Sequence, residues 1–195
     1  MIKAGVLGAS GYTGADLVRL LLRHPEVDIT FLSGERKAGQ TMAEVFPNFH
    51  GVDLPTLASV DGLDWAGLGV DVLFCALPHA TSQRLISEIW QAAPDVKIVD
   101  LSADFRLRDT DVYAQWYGGA HLAPDLQPTA VYGLSEHYAE EIATARLVAC
   151  PGCYPTAALL ALLPLVSAKQ IDPASIIIDA KSGVTGAGRS LKEQN

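Results

Sequence analysis

The sequence predicts an α/β protein: a doubly wound parallel sheet, followed by the start of an α+β unit. Three observations carry that prediction. Short strand-like runs at 3–7, 27–32, 70–77 and 96–101 alternate with stretches of helical period, and the run at 70–77 is apolar apart from Asp71. Strands that are apolar throughout are those buried on both faces of a parallel sheet. The first run passes through the turn Gly8-Ala9-Ser10-Gly11-Tyr12-Thr13-Gly14 into a helix, and a later strand-to-helix turn carries Cys153. Strand, glycine turn and helix in that order are the context of a Rossmann-type dinucleotide site.

Residues 3–7 supply the first strand. In the turn that follows, Gly8 permits a tight reversal, Gly11 lets backbone N–H groups approach a pyrophosphate, and Gly14 lets the next helix pack close to the strand. That helix covers 15–23 and stops at Pro25, its N-terminus facing the phosphates. The spacing is G-x-x-G-x-x-G rather than the commoner G-x-G-x-x-G, so a merely tight turn is the alternative; three evenly spaced glycines count against it. Gly8, Ser10, Gly11, Tyr12, Thr13 and Gly14 are the candidates for cofactor contact.

The second strand, 27–32, ends in Ser33-Gly34-Glu35-Arg36-Lys37. An acid at this strand end suits the ribose hydroxyls of NAD, whereas small polar and basic groups suit the 2′-phosphate of NADP. Glu35 is a candidate ribose partner. Ser33 and the adjacent Arg36 and Lys37 tilt the choice to NADP(H), although a solvated loop also accounts for Lys37. NADPH is expected to bind at least tenfold tighter than NADH, about 1.4 kcal/mol.

Residues 70–77 form the third strand, with Cys75 a small buried apolar residue. The loop Pro78-His79-Ala80-Thr81-Ser82 follows a strand's C-terminal end, where open sheets place ligands. Pro78 is a candidate cofactor contact; His79 reads as a cofactor neighbour or structural histidine rather than a base. A helix over 83–92 and a strand over 96–101 come next. Residues 103–130 show little periodicity and many turn formers, which predicts an ordered functional loop region. Ser135 is a candidate N-cap for a helix ending near 145, and 146–149 closes a nucleotide domain of residues 1–149. Residues 150–195 open a second, incomplete catalytic unit with a helix over 156–168, a turn at Asp172-Pro173 and a strand over 175–180.

The block Val148-Ala149-Cys150-Pro151-Gly152-Cys153-Tyr154-Pro155-Thr156 places Cys153 at a helix start, with Pro155 suited to the first helical position. Unpaired N–H groups there favour thiolate over thiol, the requirement for a nucleophilic sulfur near neutral pH. Cys-Pro-Gly-Cys also suits a redox pair or half a zinc site. Zinc needs a second ligand pair, and the third cysteine stands alone in a strand, so no metal is expected. Nucleophile is the favoured role for Cys153, and passive packing for Cys150.

A formal net charge of −8 argues against nucleic acid or an anionic membrane surface as partner. The longest apolar stretch, 157–166, is too short to span a bilayer and contains Pro164. Three cysteines and no secretory leader fit a reducing cytoplasm.

Five blocks occur in order: the glycine turn; Asp100-Leu101-Ser102-Ala103-Asp104-Phe105-Arg106; Val131-Tyr132-Gly133-Leu134-Ser135-Glu136; the cysteine block; and Ser182-Gly183-Val184-Thr185-Gly186-Ala187-Gly188-Arg189. Over the whole chain they resemble the N-acetyl-γ-glutamyl-phosphate reductases of arginine biosynthesis, kin of the phosphorylating semialdehyde dehydrogenases. The resemblance implies NADPH-dependent reductive dephosphorylation of N-acetylglutamyl 5-phosphate to the 5-semialdehyde. Cys153 would attack the acyl carbon, expel phosphate and form a thioester, which hydride then reduces. Arg106 and Glu136 would face the substrate. Ser182, Gly183, Gly186, Ala187 and Gly188 would lie against the nicotinamide end of the cofactor, a flexible turn being the alternative.

Arg106 also suits this role physically, since a planar guanidinium grips phosphate or carboxylate bidentately. An ion pair with Asp104, Asp109 or Asp111 is its alternative. Glu136 sits where a helix's first turn favours an acid in any case. The family's acid/base histidine lies in a downstream block that nothing here matches; His24, His50, His79, His121 and His137 all precede the cysteine block. The chain is therefore expected to be a truncated form, inactive alone and prone to self-association, of an enzyme that is a homo-oligomer when complete. Two other readings remain: the same chemistry on an aminoadipyl or aspartyl phosphate, and an NADP-binding module without catalysis.

Overall fold

The computed structural model describes residues 1–188; the side chain of Ala187, and Arg189 with the residues after it, lie outside the described part. The first apolar run forms β1 (Ile2–Leu7), which leads through the glycine turn into α1 (Tyr12–Leu21), and β2 (Val27–Leu32) has the bounds its sequence predicts. A single turn, α2 (Met42–Val45), precedes β3 (Val72–Cys75), α3 (Thr81–Ala92) and β4 (Lys97–Asp100). The remainder is α4 (Thr110–Tyr117), β5 (Ala130–Tyr132), α5 (Ser135–Thr144), β6 (Leu147–Ala149) and α6 (Cys153–Ser167).

The six strands make one parallel, Rossmann-type sheet in the order β2-β1-β3-β4-β6-β5. From β1 the chain steps outward to β2, then returns to lay β3 on the other side of β1. That reversal opens a crevice beyond the C-terminal ends of β1 and β3, the place where such sheets hold ligands.

Alternation along the strands feeds two cores. Leu7, Phe31, Leu73, Cys75, Ile98 and Leu147 pack with Leu85, Ile86 and Ile89 of α3 on one face. Ala4, Val6, Ile29 and Leu32 pack with Val18 and Leu21 of α1 on the other. Ile29 and Leu32 share a face although three residues apart, because the register shifts between Ala4↔Ile29 and Gly5↔Phe31 and the extra residue, Thr30, makes a bulge. Across the sheet, Leu7, Cys75, Asp100, Ala149 and Tyr132 are successive register partners. The strands therefore end in one row, and the functional blocks leave from the same edge.

The structure corrects several expectations. Residues 103–130 are not wholly irregular: α4 is capped by Asp109, whose carboxylate accepts from the N–H groups of Asp111 and Val112, and Gly118 closes it. An eight-residue helix whose only buried side chain is Tyr113 gives too short a periodic signal to read. Leu134 is the N-cap of α5, and Ser135 is its first residue. Helix α6 starts at Cys153, so Pro155 is the third residue rather than the first; a missing N–H is tolerated anywhere in the first turn. The strand expected over 175–180 does not form. Pro173–Ser175 make a 3-10 turn, and Ile177 and Ile178 are 93% and 59% exposed. A ladder needs a neighbour, and this segment has none among the described residues.

Candidate active site

Two backbone approaches force glycine into the turn after β1. Gly8 has a φ of +78°, and a Cβ there would lie 2.4 Å from the Ala76 carbonyl oxygen. A Cβ on Gly14 would lie 2.3 Å from the carbonyl oxygen of Gly8 and 2.7 Å from Cα of Ala9. Neither obstacle is a flexible side chain, so α1 seats against the turn only with glycine at both positions. Gly11 is the N-cap of α1 without a side-chain cap, and the first turn holds no acid. The positive end of the helix thus faces a cleft of about 770 Å³ that Gly8, Ser10, Gly11, Tyr12, Thr13 and Gly14 line. A dinucleotide pyrophosphate fits that cradle.

On the β2 side the cleft is lined by Ser33, Gly34, Glu35 and Arg36. Ser33 is buried and fastens the turn: its hydroxyl accepts from the Gly8 N–H (3.1 Å) and its carbonyl from the Ala9 N–H (2.8 Å). The Glu35 carboxylate is engaged with a neighbouring loop, accepting from the Ser59 hydroxyl (2.8 Å) and the Val60 N–H (2.9 Å). Arg36 is exposed at the rim, while Lys37 is half-buried and stands apart from the lining. On the β3 side, Pro78, His79 and Thr81 line the cleft together with Thr185, Gly186 and Gly188. Ser182 and Gly183 precede the 3-10 turn Val184–Ala187 and do not line it. Thr185 and Gly34 escaped the sequence reading; their adjacency to Gly186 and Ser33 was the available signal.

Along the same sheet edge lies the cysteine corner. Gly152 is the N-cap of α6 and Cys153 its first residue, exposed. Both the N–H (2.9 Å) and the hydroxyl (2.8 Å) of Thr156 donate to the Gly152 carbonyl and fix the first turn. Arg106 forms no ion pair with Asp104, Asp109 or Asp111. Its Nε donates to the Cys150 carbonyl (2.7 Å) and its Nη2 to the Leu101 carbonyl (2.9 Å), while Nη1 lies 3.1 Å from where a Cβ on Gly152 would stand. The guanidinium therefore clamps the ends of β4 and β6 together, a use that no sequence signal announces. Glu136 is exposed in the first turn of α5.

Burial separates the three thiols. The Cys75 thiol is pushed well up by burial and by the neighbouring Asp100. Burial and Asp100 also raise Cys150, against the opposing pull of Arg106. Asp100, itself wholly buried, is raised to about 6 by desolvation, in spite of the Ser102 hydroxyl (2.7 Å) and N–H (3.1 Å) that donate to it. Cys153 alone is solvent-facing. Among the described residues, no group of His, Cys, Asp or Glu is placed to hold a metal ion.

Comparison with known proteins adds the following. Residues 3–145 match the semialdehyde dehydrogenase NAD-binding domain, and residues 153–195 match the semialdehyde dehydrogenase dimerisation domain. The chain is similar to the N-acetyl-gamma-glutamyl-phosphate reductase of Afipia carboxidovorans, with 59% identity over 98% of this chain and 54% of that protein. For the Rhodospirillum rubrum protein of the same name the identity is 56% over 98% of this chain and 54% of the relative. For a probable N-acetyl-gamma-glutamyl-phosphate reductase from Oryza sativa, named chloroplastic, it is 55% over 100% of this chain and 46% of the relative. The chain thus spans about half the length of the curated relatives it matches. The fold is shared with aspartate semialdehyde dehydrogenase II of Vibrio cholerae, complexed with ASA (TM-score 0.62, 22% identity, 86% of this chain and 47% of that one). It is shared also with the Candida albicans aspartate semialdehyde dehydrogenase with NADP (TM-score 0.54, 19% identity, 86% and 47%). With residues 3–145, well over half of its length, matched to the semialdehyde dehydrogenase NAD-binding domain, the chain belongs to the semialdehyde dehydrogenase family.

Proposed function

We propose that the chain is the cofactor- and thiol-bearing part of an NADP-dependent reductase that converts N-acetyl-γ-glutamyl phosphate to N-acetylglutamate semialdehyde in arginine biosynthesis. The observation that carries this reading is the shared edge: the glycine cradle and the exposed Cys153 leave from register-aligned strand ends of one sheet. The family and the names of the half-length relatives support the substrate. In the reaction, the Cys153 thiolate attacks the acyl carbon, the bond from that carbon to the phosphate oxygen breaks, and phosphate leaves a thioester behind. When bound, NADPH would supply hydride to the acyl carbon, and the carbon–sulfur bond breaks to release the aldehyde and return the Cys153 thiolate. Arg106 keeps the cysteine corner in place and offers Nη1 to an anionic group; Glu136, exposed in the first turn of α5, is the second residue we assign to the substrate.

The engaged Glu35 and the exposed Arg36 support NADP over NAD. We take residues 1–149 as the cofactor domain and 150–195 as the start of the substrate unit. The partners in this reading are the small acyl phosphate and further copies of the chain, in line with the dimerisation-domain match, with no nucleic acid or membrane. No helix among the described residues is long and apolar enough to cross a membrane, and we assign the reaction to a reducing compartment, the cytoplasm.

Fluorescence titration is expected to give at least a tenfold preference for NADPH over NADH; equal affinities would refute the NADP choice. In a protein of the relatives' full length, phosphate-dependent reduction of NADP by N-acetylglutamate semialdehyde, read by absorbance, should disappear when the cysteine of this block is replaced (Cys153→Ser). A rate that survives that change removes the thiol from the reaction, and a chain that binds no dinucleotide removes the whole reading.

A further inference from the structure

The segment that links β4 to α4 grips the site at both ends. The Ala103 N–H donates to Nδ1 of His79 (3.3 Å). The wholly buried Asp104 carboxylate accepts from the Ala80 N–H (3.0 Å) and the Tyr113 hydroxyl (2.8 Å) at Oδ1, and from the Gln83 N–H (3.3 Å) at Oδ2. Two residues on, Arg106 holds the Cys150 carbonyl.

What Asp104 holds is unusual. Ala80 is the N-cap of α3 and has φ 63° and ψ −28°, a left-handed conformation without glycine. That costs about 1–2 kcal/mol and persists only where the surroundings impose it. The helix has no side-chain cap and no acid in its first turn, so Asp104 caps it from another segment, its charge complementing the N-terminal end. An ordinary cap is a Ser, Thr, Asp or Asn next to the helix, as the exposed Asp109 is for α4. Here a carboxylate with no ion-pair partner among the described residues is kept out of water to do it, a placement that depends on the hydrogen bonds it accepts at both oxygens.

The loop so fixed carries Pro78 and His79, which line the β3 side of the cleft. A dinucleotide with its pyrophosphate on the turn after β1 places one half over β2 and the other over β3. Arg36 marks the β2 side for the 2′-phosphate half, which leaves the nicotinamide half for the loop that Asp104 holds.

We propose that Asp104 is a positioning residue for the nicotinamide half of the cofactor, acting through the Ala80 and Gln83 N–H groups on the Pro78-His79-Ala80 loop. The inference rests on the dinucleotide reading of the cleft. To test it, NADPH and adenosine 2′,5′-bisphosphate, the fragment that reaches only the β2 side, are titrated into the wild-type chain, Asp104→Asn and Tyr113→Phe. Asparagine keeps the volume but turns an N–H toward a backbone N–H. Affinity for NADPH should fall about tenfold in Asp104→Asn and about threefold in Tyr113→Phe, with affinity for the fragment unchanged in both. A parallel loss of both ligands marks a general structural role and overturns the proposal, as does wild-type affinity for NADPH in the variants. Should Asp104→Asn not fold, Tyr113→Phe decides alone, since it removes one hydroxyl and keeps the ring. A wild-type chain that binds neither ligand fails the cofactor reading itself, and the proposal falls with it.

Discussion

Helices α3 and α6 both carry leucine or isoleucine side chains, and those side chains end in opposite surroundings. α3 is two-sided, with Leu85, Ile86 and Ile89 in the core and Arg84 and Glu88 in solvent. α6 carries Leu159, Leu160, Leu162, Leu163 and Leu165 all round, yet none of its residues is buried. A helix apolar on every side is built to be surrounded, and among the described residues nothing surrounds it. Apolarity therefore measures a segment's demand for burial, while the topology decides whether the demand is met. In residues 1–149 the parallel sheet meets it; beyond Cys150 it does not, and the exposed surface favours association.

The sharpest way to break this comparison is a pair of deletions read by urea denaturation. Ile86→Ala should cost about 2–5 kcal/mol, and Leu165→Ala no more than about 0.5 kcal/mol. Equal costs would mean that α6 is packed in solution and that the contrast is false.

The next effect concerns Asp100, at the join between the two regions. Unfolded, its carboxyl ionises near 3.8; folded, burial holds the proton to about 6. The folded state thus binds the proton more tightly. The stability it contributes is complete below pH 4 and is lost as pH rises to about 6, about 3 kcal/mol in all. Asp100→Asn should flatten that part of the stability profile. Identical profiles for wild type and variant between pH 4 and 6 would show that the site is wet rather than sealed.

A smaller contrast comes from two glycines of similar motif context. Gly14→Ala drives a methyl group into the Gly8 carbonyl and should cost about 1–3 kcal/mol along with most of the NADPH affinity. A Cβ on Gly183 meets nothing within 4 Å, so Gly183→Ala should leave both unchanged. An equal effect at Gly183 would bring its loop into close contact with the cofactor.

Much of this was legible beforehand, for identifiable reasons. β2 alternates Val27, Ile29 and Phe31 with the polar Asp28 and Thr30, and its predicted bounds match residue for residue. The glycine turn declares itself because no other residue survives its backbone approaches, and Cys153 stands at a helix start as its block implies. What escaped depends on partners remote in sequence. β5 has three residues and exists through pairing with β6. The run at 175–180 reads as a strand but lacks a neighbour. From the sequence Arg106 reads as a partner for carboxylates or anions, whereas it spends two of its donors on backbone carbonyls, which leave no trace in side-chain identity.

The row Leu7, Cys75, Asp100, Ala149 and Tyr132 also bears on how the protein can change its length. Each functional loop is attached to a tooth of one comb, and the spacing of the teeth is set by ladder hydrogen bonds. One residue inserted within β3 or β4 would slide its loop by about 3.3 Å and swap the faces of the side chains beyond it. One residue inserted between 119 and 126, where the chain runs outside the ladder, shifts no tooth. Insertions and deletions among functional homologues should therefore gather in the connections and spare the short strands, whatever happens to the identity of the side chains there.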